Sequence, residues 1–509
     1  MFFGFRLANT QIRLPHASNK QTSLDALIAL IRANYVDTLD ESALYQSGIE
    51  GILKHLDPHT VYIPAKDVVR ANEELEGSFF GIGVEFFIAN DTVMVASIIK
   101  GGPSEHLNIH PGDQILKIDD SLVAGKKMED DEIIRRIKGQ INTYAHLTLR
   151  HPDGRNTLVN IKRGEVPLRS VPAWYMADAQ TGYVKIDMFS ETTHDEFREA
   201  LQDLQRQGMK QLIVDVRDNP GGYMDAAAAI ADEFIAGEHT LVSTRGKNKS
   251  DSIVSHQKGL FESGKLCVFI NESSASASEI LAGALQDLDR AIIMGRRSFG
   301  KGLVQEQFEL PDHSAIRITT ARYYLPSGRC IQKSYAEGKE KYKLDIIDRY
   351  QQGELQKEDS ARHNQKIFYT TQQRKVYGEQ GITPDEFVPL DTTYNVHLED
   401  FYFQHIAETF AFRYVFFHPQ ALQAYQSTND FSLHFTLTPG ILSELRQYIK
   451  AAGLSGRLLD DPRTAREIEN QIRVQFSRLQ FGENGRFQEM MREDDFIAKA
   501  LLRLSSRSN

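Results

Sequence analysis

The run from Leu266 to Gln305 constrains the fold more than any other stretch of the chain. It opens with an uninterrupted apolar strand, Leu266-Cys267-Val268-Phe269-Ile270, and passes through the small residues Ser273 to Ser278 into a segment where Ile280, Leu281, Leu285 and Leu288 recur at helical spacing. A second strand, Ala291-Ile292-Ile293-Met294, leads into Gly295-Arg296-Arg297-Ser298-Phe299-Gly300-Lys301-Gly302 and on to strand-like Leu303-Val304-Gln305. The run Leu212-Ile213-Val214-Asp215-Val216 reads as another buried strand, and beyond residue 170 helices and strands alternate, the signature of an α/β layer.

The same stretch carries candidate chemistry. A turn that opens a helix leaves backbone N–H groups unpaired, and those suit a developing oxyanion. A serine hydroxyl needs a base within reach, and a lysine serves only when desolvation lowers its pKa. Phe299, Leu303 and Val304 are candidate apolar walls for Lys301. Taken alone, the serines read more readily as a helix cap and Lys301 as a solvated loop lysine.

Rival readings of these residues fail on their neighbours. Gly295 to Lys301 fits the phosphate-cradling G-x-x-x-x-G-K loop, but position 302 is Gly instead of Ser or Thr, and a strand-like run follows where a helix is needed. No G-x-S-x-G elbow occurs, which argues against a Ser/His/Asp triad of the α/β-hydrolase kind. His55 and His59 stand four apart as on a zinc helix, but Pro58 between them breaks such a helix, and no metal or other cofactor is expected.

At 509 residues the chain is long enough for about three domains. Its net charge of −10 and the lack of a basic stripe make nucleic acid an unexpected partner. Two cysteines, Cys267 and Cys330, build no disulfide framework. The start, Met1 to Ala8, is too short for a signal-peptide apolar region, and nothing reaches membrane-spanning length.

The segment resembles the core motif of the C-terminal processing (tail-specific) peptidases, serine proteases with a Ser/Lys dyad. Members carry a Ser-Ala-Ser-Ala-Ser-Glu type run and a Phe-Gly-Lys-Gly-x-x-Gln run, with nucleophile and base 25 positions apart, the separation of Ser276 and Lys301 here. The resemblance implies Ser276 as nucleophile, Lys301 as base and Gln305 as the residue holding the lysine, with Ser274 and Ser278 as neighbours. Arg217-Asp218-Asn219-Pro220-Gly221-Gly222 is similar to the family's Asn-Pro-Gly-Gly loop beside the nucleophile. It implies an oxyanion hole from the N–H groups of Gly222, or Gly221, and Ala277, with Asp215 and Arg217 fixing the loop; without the resemblance that sequence is a common turn. Glu279 is expected as a helix-start carboxylate.

Elsewhere Leu56-Asp57-Pro58-His59-Thr60-Val61-Tyr62-Ile63 is similar to the family's run before its PDZ domain, and a structural role is expected for it. Phe80-Gly81-Ile82-Gly83-Val84, with Pro111-Gly112-Asp113 further on, looks like a PDZ domain. There Gly81, Ile82, Gly83 and Val84 would gather N–H groups on a peptide's terminal carboxylate while the adjoining strand pairs with the peptide. On the glycines alone a small β-barrel serving only packing fits as well. Leu107-Asn108-Ile109 and Gly139-Gln140-Ile141-Asn142-Thr143 depart from the usual PDZ pattern, which leaves peptide preference open.

Four regions are expected: an N-terminal helical region (1–76), a PDZ domain (77–168), an α/β crotonase/ClpP-like peptidase core (169–393) and a C-terminal helical extension (394–509), in all an α+β multidomain protein. Thr193 to Glu196 reads as a capping box, the polar stretch Lys333 to Lys366 as exposed, and Ile468, Ile472, Phe476 and Leu479 as amphipathic helix. The extension's role is left among packing on the core, dimer contact and substrate gating. The expected activity is a serine endopeptidase acting on proteins or peptides with free C-termini, with homo-oligomerisation left open. Family resemblance implies the bacterial cell envelope, in the periplasm, with Phe2 to Phe5 as the stub of a missing signal or anchor. Two alternatives stand beside it: a catalytically silent PDZ protein that captures tails without cutting them, and a crotonase-like enzyme of acyl thioesters, for which no coenzyme A nucleotide segment is visible.

Overall fold

The computed structural model describes residues 21–89, 91–247, 249–256, 258–358, 366–391 and 398–506. Its centre is a six-stranded sheet in the order Ala173–Met176, Thr181–Lys185, Gln211–Asp215, Lys265–Ile270, Ile292–Gly295 and Glu386–Phe387. The first pair is antiparallel and the rest run parallel, as unbroken apolar strands buried on both faces require. Helices Thr193–Arg206, Met224–Asp232 and Ala277–Asp287 cover one face, around Phe197, Leu201, Ile230, Val268 and Leu281. Glu196 does not close a capping box at Thr193; its carboxylate accepts hydrogen bonds from the N–H groups of Ser170 and Val171 instead.

The other face is covered by the last helix, Asp495–Ser505, whose Phe496, Ala500 and Leu504 lie on Cys267, Phe269 and Met294. Part of the C-terminal extension therefore completes the cover of the central sheet. The remainder forms its own helical body around Phe410, Phe431, Leu445, Ile468, Ile472 and Phe476. Leu479, expected on the same face, is 38% exposed near the end of that seam, where Gly482 interrupts the helix Pro462–Met490.

A second, antiparallel sheet holds Leu303–Glu309, Ala315–Tyr324, Thr240–Gly246 and Ser250–Val254, and the short strand Val61–Ile63 joins it beside Ala315–Tyr324. This pairing carries the Leu56–Ile63 run against the second sheet. The helices expected before residue 76 are present as Gln21–Asn34, Glu41–Leu53 and Ala65–Glu76, yet Leu27, Leu30, Tyr45 and Ile52 are exposed.

Strands Val84–Ala89, Thr92–Ile98, Gln114–Ile118, Tyr144–Arg150 and Asn156–Lys162 and helix Asp130–Ile137 make the PDZ body around Val95, Ile115, Ile133 and Leu147. A two-stranded ribbon, Ser78–Gly81 against Gly164–Pro167, ties it to the core. The stretch expected to be exposed between 333 and 366 is instead partly structural: helix Lys339–Gln351 buries Tyr342 and Arg349, and Lys333 is buried over the Phe299 ring. Residues 359–365 of that stretch lie outside the described residues. Among the described residues no helix is long and apolar enough to cross a membrane.

Candidate active site

Ser276 sits where the strand Lys265–Ile270 turns into the helix Ala277–Asp287. Asn271 and Ser274 lock the turn: Ser274 Oγ donates to Val216 O (2.7 Å) and accepts from Asn271 N–H (2.9 Å). Ser276 itself has φ 54° and ψ −112°, a backbone that L side chains rarely adopt and that costs on the order of 1–3 kcal/mol. It is half-buried, whereas the residues of the following helix are buried throughout.

Glu279, one turn along, is fully buried and does more than open a helix. Its Oε2 accepts from the N–H groups of both Ser276 and Lys301, each at 2.9 Å. Its Oε1 accepts from Ser298 Oγ (2.5 Å) and Gly300 N–H (2.7 Å). Burial pushes its pKa up to about 7 against the pull of those hydrogen bonds. The Tyr323 hydroxyl spans the same pair of residues from the carbonyl side, 3.1 Å from Ser276 O and 2.6 Å from Lys301 O. One carboxylate and one phenol thus bring the backbones of Ser276 and Lys301 together from sequence positions 25 apart.

Lys301 Nζ donates to Gln305 Oε1 at 2.8 Å, and Gln305 Nε2 donates to the carbonyl of His59. A register shift between Val304 and Gln305 interrupts the strand pairing at this point. Desolvation lowers the Lys301 pKa to about 8, with the Arg317 charge adding to the effect and Glu279 and Asp57 opposing it. Leu303 is buried beside it, Val304 half-buried, and Phe299 packs against His59, Tyr342 and Lys333.

The Leu-Asp-Pro-His run, expected to be only structural, therefore reaches the lysine's surroundings. Asp57 accepts from His59 N–H, Thr60 Oγ1 and Thr319 Oγ1, and the His59 ring meets Tyr342 Oη at 2.8 Å. Burial, then the Lys301 charge, lowers the His59 pKa to about 4. Local sequence gives no signal for this contact, because His59 and Gln305 are brought together by strand pairing across 246 positions.

Opposite the serine lies the Asn219-Pro220-Gly221-Gly222 turn. A Cβ on Gly221 would stand 2.7 Å from Ser276 Cβ, and one on Gly222 would stand 2.1 Å from Phe189 O, so both positions exclude any larger residue. The Gly221 N–H is taken by Asn219 Oδ1 at 2.8 Å. The N–H groups of Gly222 and Ala277 make no hydrogen bond to the described residues, which leaves these two free to meet an anion.

In the PDZ body Gly81, Ile82, Gly83 and Val84 link the ribbon to the strand Val84–Ala89. That strand pairs on one side only, with Thr92–Ile98, so its other edge is unpaired among the described residues. Phe80, Val84 and Ile88 line a cleft of about 3030 Å³ whose far wall is the C-terminal extension, including Phe412 and Arg478. The extension touches the strand directly: the Phe87 and Phe412 rings are 4.6 Å apart and Arg478 lies 3.5 Å from Glu85. His110, Asp113 and His151 put possible metal-ligand atoms within 4.8 Å of one another. Both His151 ring nitrogens are already engaged, Nδ1 by Asp113 Oδ1 (2.6 Å) and Nε2 by Thr157 Oγ1 (2.8 Å).

Comparison with known proteins agrees with this architecture. The PDZ domain family model matches residues 69–150, and the Peptidase family S41 model matches residues 180–340. A carboxy-terminal-processing protease of Bartonella bacilliformis is 35% identical over 309 residues, 59% of this chain and 70% of that protein. A CtpA-like serine protease of Staphylococcus aureus (strain COL) is 32% identical over 311 residues, 60% of this chain and 62% of that protein. Among solved structures, a photosystem II D1 C-terminal processing protease aligns with a TM-score of 0.37 at 22% identity, covering 73% of this chain and 88% of that one. A PDZ body joined to an α/β core with a serine at a strand–helix turn defines the class. The chain belongs to the carboxy-terminal-processing proteases of peptidase family S41.

Proposed function

We propose that the protein is a serine endopeptidase that cuts proteins or peptides engaged through their C-terminal tails, with Ser276 as nucleophile and Lys301 as base. The observation that carries the reading is the shared hold of Glu279 and Tyr323 on the backbones of these two residues, beside a lysine whose pKa lies near 8. Ser276 Oγ attacks the scissile carbonyl carbon while neutral Lys301 Nζ takes its proton. The carbonyl oxygen, now negative, is met by the N–H groups of Gly222 and Ala277. Collapse breaks the C–N bond, Lys301 returns the proton to the leaving amine, and water, deprotonated by the same amine, releases the acyl group from the serine. Gln305, held by His59 O, fixes the direction of Nζ.

The tail pairs with the open edge of Val84–Ala89, its carboxylate at Gly81, Ile82, Gly83 and Val84. In this reading residues 1–76, 77–168, 169–393 and 394–509 serve as N-terminal region, tail reader, peptidase core and extension, and the protein works in the bacterial envelope, in the periplasm. Incubation with an unstructured polypeptide bearing an apolar C-terminus tests the chemistry. Fragments are expected from the unmodified protein, and a loss of about a thousandfold or more in Ser276→Ala and in Lys301→Ala. Turnover retained by either variant overturns the assignment, and a stoichiometric complex without cleavage would make the protein a binder.

A further inference from the structure

The Asn-Pro-Gly-Gly turn hangs from an arginine that the C-terminal extension holds. Asp215, at the end of its strand, is buried and accepts from Arg217 N–H (2.9 Å), Arg217 Nη2 (2.6 Å) and Tyr183 Oη (2.8 Å). The remaining end of the guanidinium, Nη1, donates to Asp494 Oδ2 at 2.9 Å. The guanidinium plane lies over the Phe496 ring, 4.3 Å from its centroid, and Nη2 also contacts Met491 Sδ. Three residues of one short segment of the extension, Met491, Asp494 and Phe496, thus enclose an arginine more than 270 positions away. Arg217 is followed at once by the turn: its carbonyl accepts from Lys185 Nζ (2.8 Å), and Asp218 is tied to Asn271, at the foot of the serine turn, by two hydrogen bonds.

Charge explains why the second aspartate matters. Lys185 and Arg217 are buried together beside Asp215, and Lys185 has Asp187, half exposed, as its second partner. Asp494 supplies the remaining negative charge at a side chain only 17% exposed, so removing it leaves a poorly solvated cation with one partner fewer beneath the turn.

We propose that Asp494 is a positioning residue for the oxyanion turn, acting through Arg217, so that the C-terminal extension sets the place of the Gly222 N–H as well as covering the sheet. The inference rests on the peptidase reading above. The two oxygens of Asp494 divide the work: Oδ1 caps the last helix, accepting from Phe496 N–H (2.9 Å) and Ile497 N–H (3.1 Å), and Oδ2 meets Arg217. Asparagine is as good a helix cap as aspartate, so Asp494→Asn keeps the first role and puts an amide N–H against the guanidinium in the second.

The test measures kcat and KM of Asp494→Asn on a peptide substrate, together with its affinity for a peptide aldehyde that forms a tetrahedral adduct with the serine. A fall of about tenfold in kcat with KM within about twofold of the unmodified protein, and a parallel loss of aldehyde affinity, is expected. Partial recovery is expected in Asp494→Glu, which restores the charge. Unchanged kcat overturns the proposal, and so does a fall in kcat accompanied by a matching loss of folded protein in the thermal melt. Should Asp494→Asn fail to fold, Phe496→Leu, which removes the ring under the guanidinium and keeps an apolar cover, is read in the same way. Ser276→Ala run alongside separates the two levels: turnover in that control rejects the peptidase reading itself, whereas a dead control with an unaffected Asp494→Asn rejects only the positioning role.

Discussion

At the scale of single residues, the site is set by where two polar groups lose water. Lys301 is deprived of solvent until its pKa falls to about 8, and a base works only in its unprotonated form. The sign follows: below pH 8 the amine carries a proton and cannot accept one from Ser276, so kcat/KM should climb about tenfold per pH unit from 6 towards 8 and level off above it. A flat profile across that window, measured on a substrate without titratable groups, would remove Lys301 from the role of base. The grouping of Ser276, Lys301 and Gln305 was legible only through the resemblance, whose two motifs hold serine and lysine 25 positions apart; by themselves a cap serine and a loop lysine look ordinary. Glu279 was legible only as a helix-start acid, since a carboxylate that serves two backbones looks in sequence like any capping glutamate. Tyr323 left no signal, and the run around His59 was marked by resemblance without a hint of its place beside Gln305: both reach the site by strand pairing.

At the scale of elements, the glycine motifs around Gly81 to Gly83 and Gly112 pointed to the PDZ body, and the 3.6-residue period marked the helices after Ser278 and around Ile468, because that period records which side faces a core. What elements do to one another was less visible. The extension's Phe412 faces Phe87 on the strand proposed to bind tails, Phe416 presses on Gly112, and Arg478 meets Glu85. Those side chains are ordinary members of amphipathic helices until the fold sets a partner against them. The ring contact contributes about 1 kcal/mol and the solvent-screened ion pair less, little enough for a few substitutions to undo. The double variant Phe412→Ala, Arg478→Ala should release the PDZ body, raising the radius of gyration in solution scattering while both domains keep their melting transitions. An unchanged radius would show that the ribbon Ser78–Gly81 with Gly164–Pro167 alone holds the arrangement.

At the scale of the whole molecule, the last helix closes the second face of the central sheet. Buried Phe496, Ala500 and Leu504 are set against Cys267, Phe269 and Met294, and Lys265 Nζ donates to Leu504 O. Ending the chain after Met490 should cost on the order of 5 kcal/mol and expose the Cys267 thiol to reagents that cannot reach it in the intact protein. Equal labelling rates in the two forms would mean that the helix is dispensable cover. This role was hidden because the segment has no counterpart in the motifs that identify the core, and its apolar stripe names no partner. The clasp between residues 276 and 301 has a different bearing. Since one glutamate and one tyrosine hold both backbones, Ser276 and Lys301 travel together, and separating them would mean breaking the Glu279 and Tyr323 hydrogen bonds to one or the other. An on–off control of hydrolysis must therefore act around the pair, by withholding the peptide, tilting the glycine turn or loosening the glutamine, and never by drawing serine and lysine apart.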